Sequence, residues 1–222
     1  KVLGDPKALE AFRFANRAMW QQRVRSLYAL ERRRGKDAKL EDIDVPKNRS
    51  WRPFQLAFVL LSMPSLADPK HADRTDPAAA IADLLWFPTG GGKTEAYLGV
   101  AAFAMAIRRL QGPLGGLDHA HGLTVIMRYT LRLLTIQQFQ RASTLLCAME
   151  VIRRGALAKG DDRWGHTPFR IGLWVGQRAT PNTTADAQQA IQNARGNQWR
   201  QLGTGTPAQL SSCPWCGSEI QP

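Results

Sequence analysis

The stretch Pro88-Thr89-Gly90-Gly91-Gly92-Lys93-Thr94-Glu95 constrains this chain more than any other. The apolar run Ile81 to Phe87 precedes it and reads as a buried strand. Ala96 to Arg109, rich in alanine, leucine and methionine, follows it and reads as a helix. A strand, a glycine loop and a helix opening on Lys-Thr together predict a site for a nucleotide triphosphate. Glycines let backbone N–H groups turn inward around phosphate oxygens where side chains would block the approach. The positive end of the helix dipole points at the same anion. Lys93 is placed to reach the β- and γ-phosphates of ATP, and the Thr94 hydroxyl to ligate Mg²⁺. Thr89, Gly90, Gly91, Gly92 and Glu95 complete the candidate cradle.

The strict loop pattern has a glycine six residues before the lysine, and Phe87 stands there instead. An apolar residue followed by Pro-Thr-Gly-x-Gly-Lys-Thr resembles motif I of superfamily 2 helicases and translocases. A chance glycine-rich turn capping a helix would give a similar string, but not the apolar run before it. Upstream, Trp51-Arg52-Pro53-Phe54-Gln55 resembles the helicase segment whose glutamine reads adenine. A carboxamide pairs with the adenine edge as donor and acceptor at once, so Gln55 joins the candidate nucleotide site.

The formal charge is +12, and 22 of the 30 basic residues are arginine. A field of that sign draws polyanions, which makes DNA the expected partner. The apolar run Leu123 to Met127 reads as a second strand. It leads into Arg128-Tyr129-Thr130-Leu131-Arg132-Leu133-Leu134-Thr135-Ile136-Gln137. The spacing of Arg132, Leu134 and Gln137 resembles helicase motif Ia, although Thr130 and Leu131 replace the usual Pro-Thr. Thr130, Arg132 and the helix start suit phosphate contact without sequence readout, with Gln137 beside them. Leu133, Leu134, Phe139, Leu145 and Leu146 make an ordinary core stripe on the same helix, and Cys147 falls within it. Phe169 to Val175 reads as a third strand, with Thr183 or Thr184 capping a helix from Ala185 to Arg195. By the resemblance, Arg178 after that strand also faces nucleic acid.

Alternating strands and helices predict an α/β fold. By the resemblance it is a RecA-like P-loop NTPase, a parallel sheet flanked by helices. Residues 6 to 34 read as a helix marked by Leu9, Phe12, Met19, Leu27 and Leu30, with a glycine stop at Gly35. The expected organisation is a helical extension and connector over 1–50, a first motor domain over 51–200, and a cysteine-rich insertion starting at 201. In that last part, Cys213-Pro214-Trp215-Cys216-Gly217 is half of a zinc ribbon, two thiolates aimed at one Zn²⁺.

The phrases Leu85 to Leu98 and Met127 to Thr135 are similar to the helicase subunit of the DISARM anti-phage systems and its bacterial relatives. That resemblance implies an ATP-dependent DNA translocase that works with a second defence subunit on DNA carrying a single-stranded part. No acidic pair follows an apolar strand here, although hydrolysis requires one to hold Mg²⁺. The activity is therefore expected of a longer protein, an expectation the missing initial methionine shares. A P-loop protein of another class, such as a kinase or transferase, is the competing reading. Three cysteines make a disulfide framework implausible and fit a reducing cytoplasm. No run of about 18 apolar residues predicts a membrane span, and no export signal opens the chain.

Overall fold

The structure, a computed structural model, describes residues 2–78, 82–88, 90–114, 116, 118–129, 132–176, 179–195 and 205–221, without the side chains of 132–135. Helices α1 (Pro6–Arg33), α2 (Leu40–Ile43), α3 (Pro53–Ala67), α4 (Ala72–Thr75), α5 (Lys93–Gln111), α6 (Arg132–Leu157) and α7 (Thr184–Arg195) follow one another along the chain.

Each long helix has a local cause. Asp5 caps α1, its carboxylate accepting from the Lys7 N–H at 2.9 Å, and Pro6 fills the first helical position. Arg32 and Arg33 occupy its last turn, and Gly35, at φ 77°, supplies the left-handed stop. Thr183 caps α7, its hydroxyl accepting from the Asp186 N–H at 3.1 Å.

The core lies between α1, α5, α6 and α3. On α1 the buried stripe is Ala8, Ala11, Ala15, Ala18 and Gln22, with Phe14 and Met19 beside it. Leu9, Phe12, Leu27 and Leu30 lie only half-buried at its edges. The small residues let α1 lie close to α5, so the larger apolar side chains do not mark the inner face. Helix α5 is buried nearly all round, through Ala96, Leu98, Gly99, Ala102, Phe103, Ala106 and Ile107. Such a helix is a central pillar rather than a surface element. Gly99 is required there, because a Cβ would stand 2.7 Å from the Trp51 ring. Helix α6 adds Leu145, Ala148, Met149 and Ile152, and Phe14 meets Trp164 with ring centroids 4.2 Å apart.

The expected parallel sheet is corrected by this architecture. Among the described residues no strand ladder forms; the bridge between two described residues is antiparallel, Ser212 with Glu219. In the segments read as strands, 82–87 (Ile81 lies outside the described residues), 123–127 and 169–175 show no ladder pairing among the described residues. Several of their large side chains face outward: Leu84 is 86%, Trp86 83%, Ile126 79% and Trp174 99% exposed, while Phe169 is buried in the core. A strand needs a neighbour to take its N–H and C=O groups. Short apolar runs signal burial or extension without specifying that neighbour. In this chain the helices bury one another, and the fold is helical.

A candidate phosphate-binding site

The loop before α5 is shaped by its glycines. Gly90 and Gly92 sit at φ 80° and 91°, where side chains are strained. Gly92 is also the N-cap of α5, and no side chain caps that end. The first N–H groups of the helix therefore lack side-chain acceptors, the condition that suits an anion. Lys93 folds back so that Nζ donates to the carbonyls of Phe87 and Pro88, the latter at 3.3 Å. Thr94 is half-buried. Thr89 lies outside the described residues.

The first turn of α3 grips this loop at successive points. Phe54 stacks on Phe87, with centroids 3.8 Å apart and planes 13° from parallel. This contact gives Phe87 a role where the strict pattern has glycine. The Arg52 guanidinium donates to the Gly91 carbonyl at 2.7 Å. Gln55, 4% exposed, donates from Nε2 to the Gly92 carbonyl at 2.8 Å. Its Oε1 accepts from the Arg52 N–H at 2.8 Å. Both ends of the carboxamide thus hold backbone, and Gln55 fixes the loop in place. A Cβ on Gly92 would come within 2.6 Å of that Nε2, so the contact also depends on the glycine.

Glu95 ties the loop helix to its neighbours. Its side chain is 16% exposed, paired with Arg141 of α6 and lying 3.9 Å from Arg23 of α1. Among the described residues its buried Oε2 has no hydrogen-bond partner. The sequence flagged Glu95 only as part of the loop. Arg141, nine residues into α6, carried no signal except a helical spacing. Burial pushes the Tyr129 hydroxyl pKa up, and the charge of Arg141 opposes that rise. The approach to α6 and the phosphate loop therefore share one ion pair.

The expected nucleic-acid corner is described only in part. Helix α6 begins at Arg132, and Gln137 in its second turn is exposed. Thr130 and Arg178 lie outside the described residues, as does the Arg132 side chain.

The cysteine turn is well formed. The Gly217 N–H donates to the Cys213 carbonyl at 2.9 Å, and the Cys213 N–H to the Ser218 carbonyl at 2.7 Å. Gly217, at φ 77°, lies so near α1 that a Cβ would stand 2.7 Å from the Ala29 carbonyl oxygen. Thr144 of α6 donates to the Pro214 carbonyl at 3.1 Å, and Arg25 lies over the Trp215 ring at 4.6 Å. The hydrogen bond from Ser218 lowers the Cys216 pKa. Burial raises that of Cys147, and the neighbouring charges of Cys213 and Cys216 raise it further. Sequence reading took Cys147 for a core filler and missed that neighbourhood. Among the described residues, no three metal-ligating side chains converge to hold an ion. Cys213 and Cys216 are two thiols, and a tetrahedral zinc site needs four ligands.

No helix among the described residues is long and apolar enough to cross a membrane. No family model matches the chain. The chain is similar to the DISARM protein DrmA of Bacillus paralicheniformis, 39% identical over 214 residues. The match covers 96% of this chain, the phosphate loop included, and 18% of that protein's length.

Proposed function

We propose that this chain supplies the nucleotide-phosphate site of an ATP-dependent nucleic-acid translocase of the superfamily 2 helicase kind, acting in anti-phage defence. The observation that carries the reading is the N-terminus of α5. It has no side-chain cap, opens on two glycines in left-handed conformations, and bears Lys93 and Thr94 at its mouth. Backbone N–H groups, a mobile ammonium and a hydroxyl are the donor set that a triphosphate with Mg²⁺ uses. In this reading Lys93 leaves the loop carbonyls for phosphate, and Arg52 and Gln55 keep the emptied loop in shape. ATP, when bound, supplies the phosphoanhydride whose cleavage drives movement. The similarity to DrmA supports the defence role and the company of further subunits.

Nucleic acid enters through the start of α6. Its N-terminal dipole and Arg132 suit phosphate contacts that position a strand without reading bases. Arg132→Ala is expected to weaken single-stranded DNA binding by a similar factor for every sequence. It should also flatten the plot of log K against log salt by about 0.7, one phosphate's share on a single strand. Titrations at several salt concentrations, beside a melting curve, check this. A stably folded variant with an unchanged salt slope sinks the contact.

A further inference from the structure

A groove of about 390 Å³ runs between α1 and the C-terminal part of α6. Arg13 and Arg17, one helical turn apart, form its α1 wall, and Gly155 of α6 with Lys159 in the turn after it form the opposite wall. Phe14 and Trp164 close the floor, where both are almost fully buried. A second hollow continues from Arg17 past Trp20 to Arg49. Arg13, Arg17 and Trp20 fall at i, i+4 and i+7, so the two hollows lie along one exposed face of the helix.

The charges on this face are unequally matched. Glu10 and Asp161 stand at one end, and Arg163 already engages them at 3.3 and 2.8 Å. Arg13 reaches Glu10 only at 3.9 Å, with 68% of its side chain exposed. Asp44 takes the Trp20 indole N–H at 2.7 Å and Arg49 at 3.2 Å. Arg17 and Lys159 are exposed, with no carboxylate against either among the described residues. The Trp20 indole is 38% exposed, with the Arg49 guanidinium 5.3 Å from its ring centre. Two cations without anions, Arg17 and Lys159, along a groove that leads to a partly exposed indole are a combination that suits a single strand: phosphates along the groove, a base against the ring. An acidic peptide would use the cations but leave the indole idle.

We propose that this groove is a second single-strand track, in which Arg13, Arg17 and Lys159 hold backbone phosphates and Trp20 stacks a base. The proposal rests on the nucleic-acid reading above and extends it to the α1 face.

The test is binding of fluorescent oligothymidylate to the whole protein over a series of salt concentrations. Arg17→Ala and Lys159→Ala should each flatten the salt slope by about 0.7. Trp20→Ala should weaken binding by about tenfold. Gly155→Glu removes no existing contact, since a Cβ there meets nothing within 4 Å. It places a carboxylate in the groove and should weaken binding without lowering the melting temperature. ATP turnover without DNA should be unchanged in all four variants. If Arg132→Ala flattens the slope while the folded groove variants bind as wild type does, the groove is overturned and the main reading stands. If polyglutamate of matched charge displaces oligothymidylate as well as unlabelled DNA does, a strand-specific track is overturned. If the wild-type protein binds no oligothymidylate, the nucleic-acid reading itself fails and the groove fails with it.

Discussion

Lys93→Ala in the whole protein is expected to lower ATP turnover by about 100-fold or more while leaving the melting temperature unchanged. The size follows from the kind of contact: removing one preorganised donor to developing charge costs a factor of about 10²–10³. The unchanged fold follows from the geometry. Among the described residues Lys93 Nζ donates to the carbonyls of Phe87 and Pro88, and the side chain is not part of the buried core. Two carbonyls left to water at an exposed site cost little. Steady-state turnover at the wild-type rate in this variant would remove Lys93 from the phosphate site.

The second large effect concerns the fold. Phe103 is fully buried in the middle of α5, within the cluster shared by α1, α3 and α6. Phe103→Ala should destabilise the chain by about 3–5 kcal/mol, the lost transfer energy plus the cavity left behind. In a domain of this size that lowers the melting temperature by about 10 °C. By contrast, Trp174→Ala should shift it by less than about 2 °C, since that indole is 99% exposed. Parallel melting curves of the two variants separate a helical core from a sheet core. A large loss with Trp174→Ala and a small one with Phe103→Ala would contradict the architecture.

These two residues also show what could be read beforehand. The helix after Lys93 was legible because a glycine stop and a helix-forming run leave few alternatives. Its central position was not, because alanine and glycine mark a buried face only once the neighbouring helix is known. The same holds for α1, where alanines rather than leucines form the inner stripe. The strand expectations failed for a different reason. Apolar composition was visible in 82–87 and 123–127, but pairing is a property of two segments and no ladder forms among the described residues. At the site, glycines, lysine and threonine were legible from spacing alone. The Phe54–Phe87 stack, the double backbone grip of Gln55 and the Glu95–Arg141 pair were not, since each joins residues far apart in sequence.

That ion pair gives the two candidate sites a physical connection. Glu95 lies one turn from the phosphate loop, and Arg141 lies on the helix whose start is assigned to nucleic acid. The pair joins the first turn of α5 to the third turn of α6.

The central claim is that nucleotide and nucleic acid act on one machine, and ATP turnover of the whole protein with and without single-stranded DNA tests it most directly. The account predicts that added DNA stimulates turnover, and that Lys93→Ala abolishes the stimulated and the basal rate together. A turnover rate indifferent to DNA over the range in which DNA binds would contradict it.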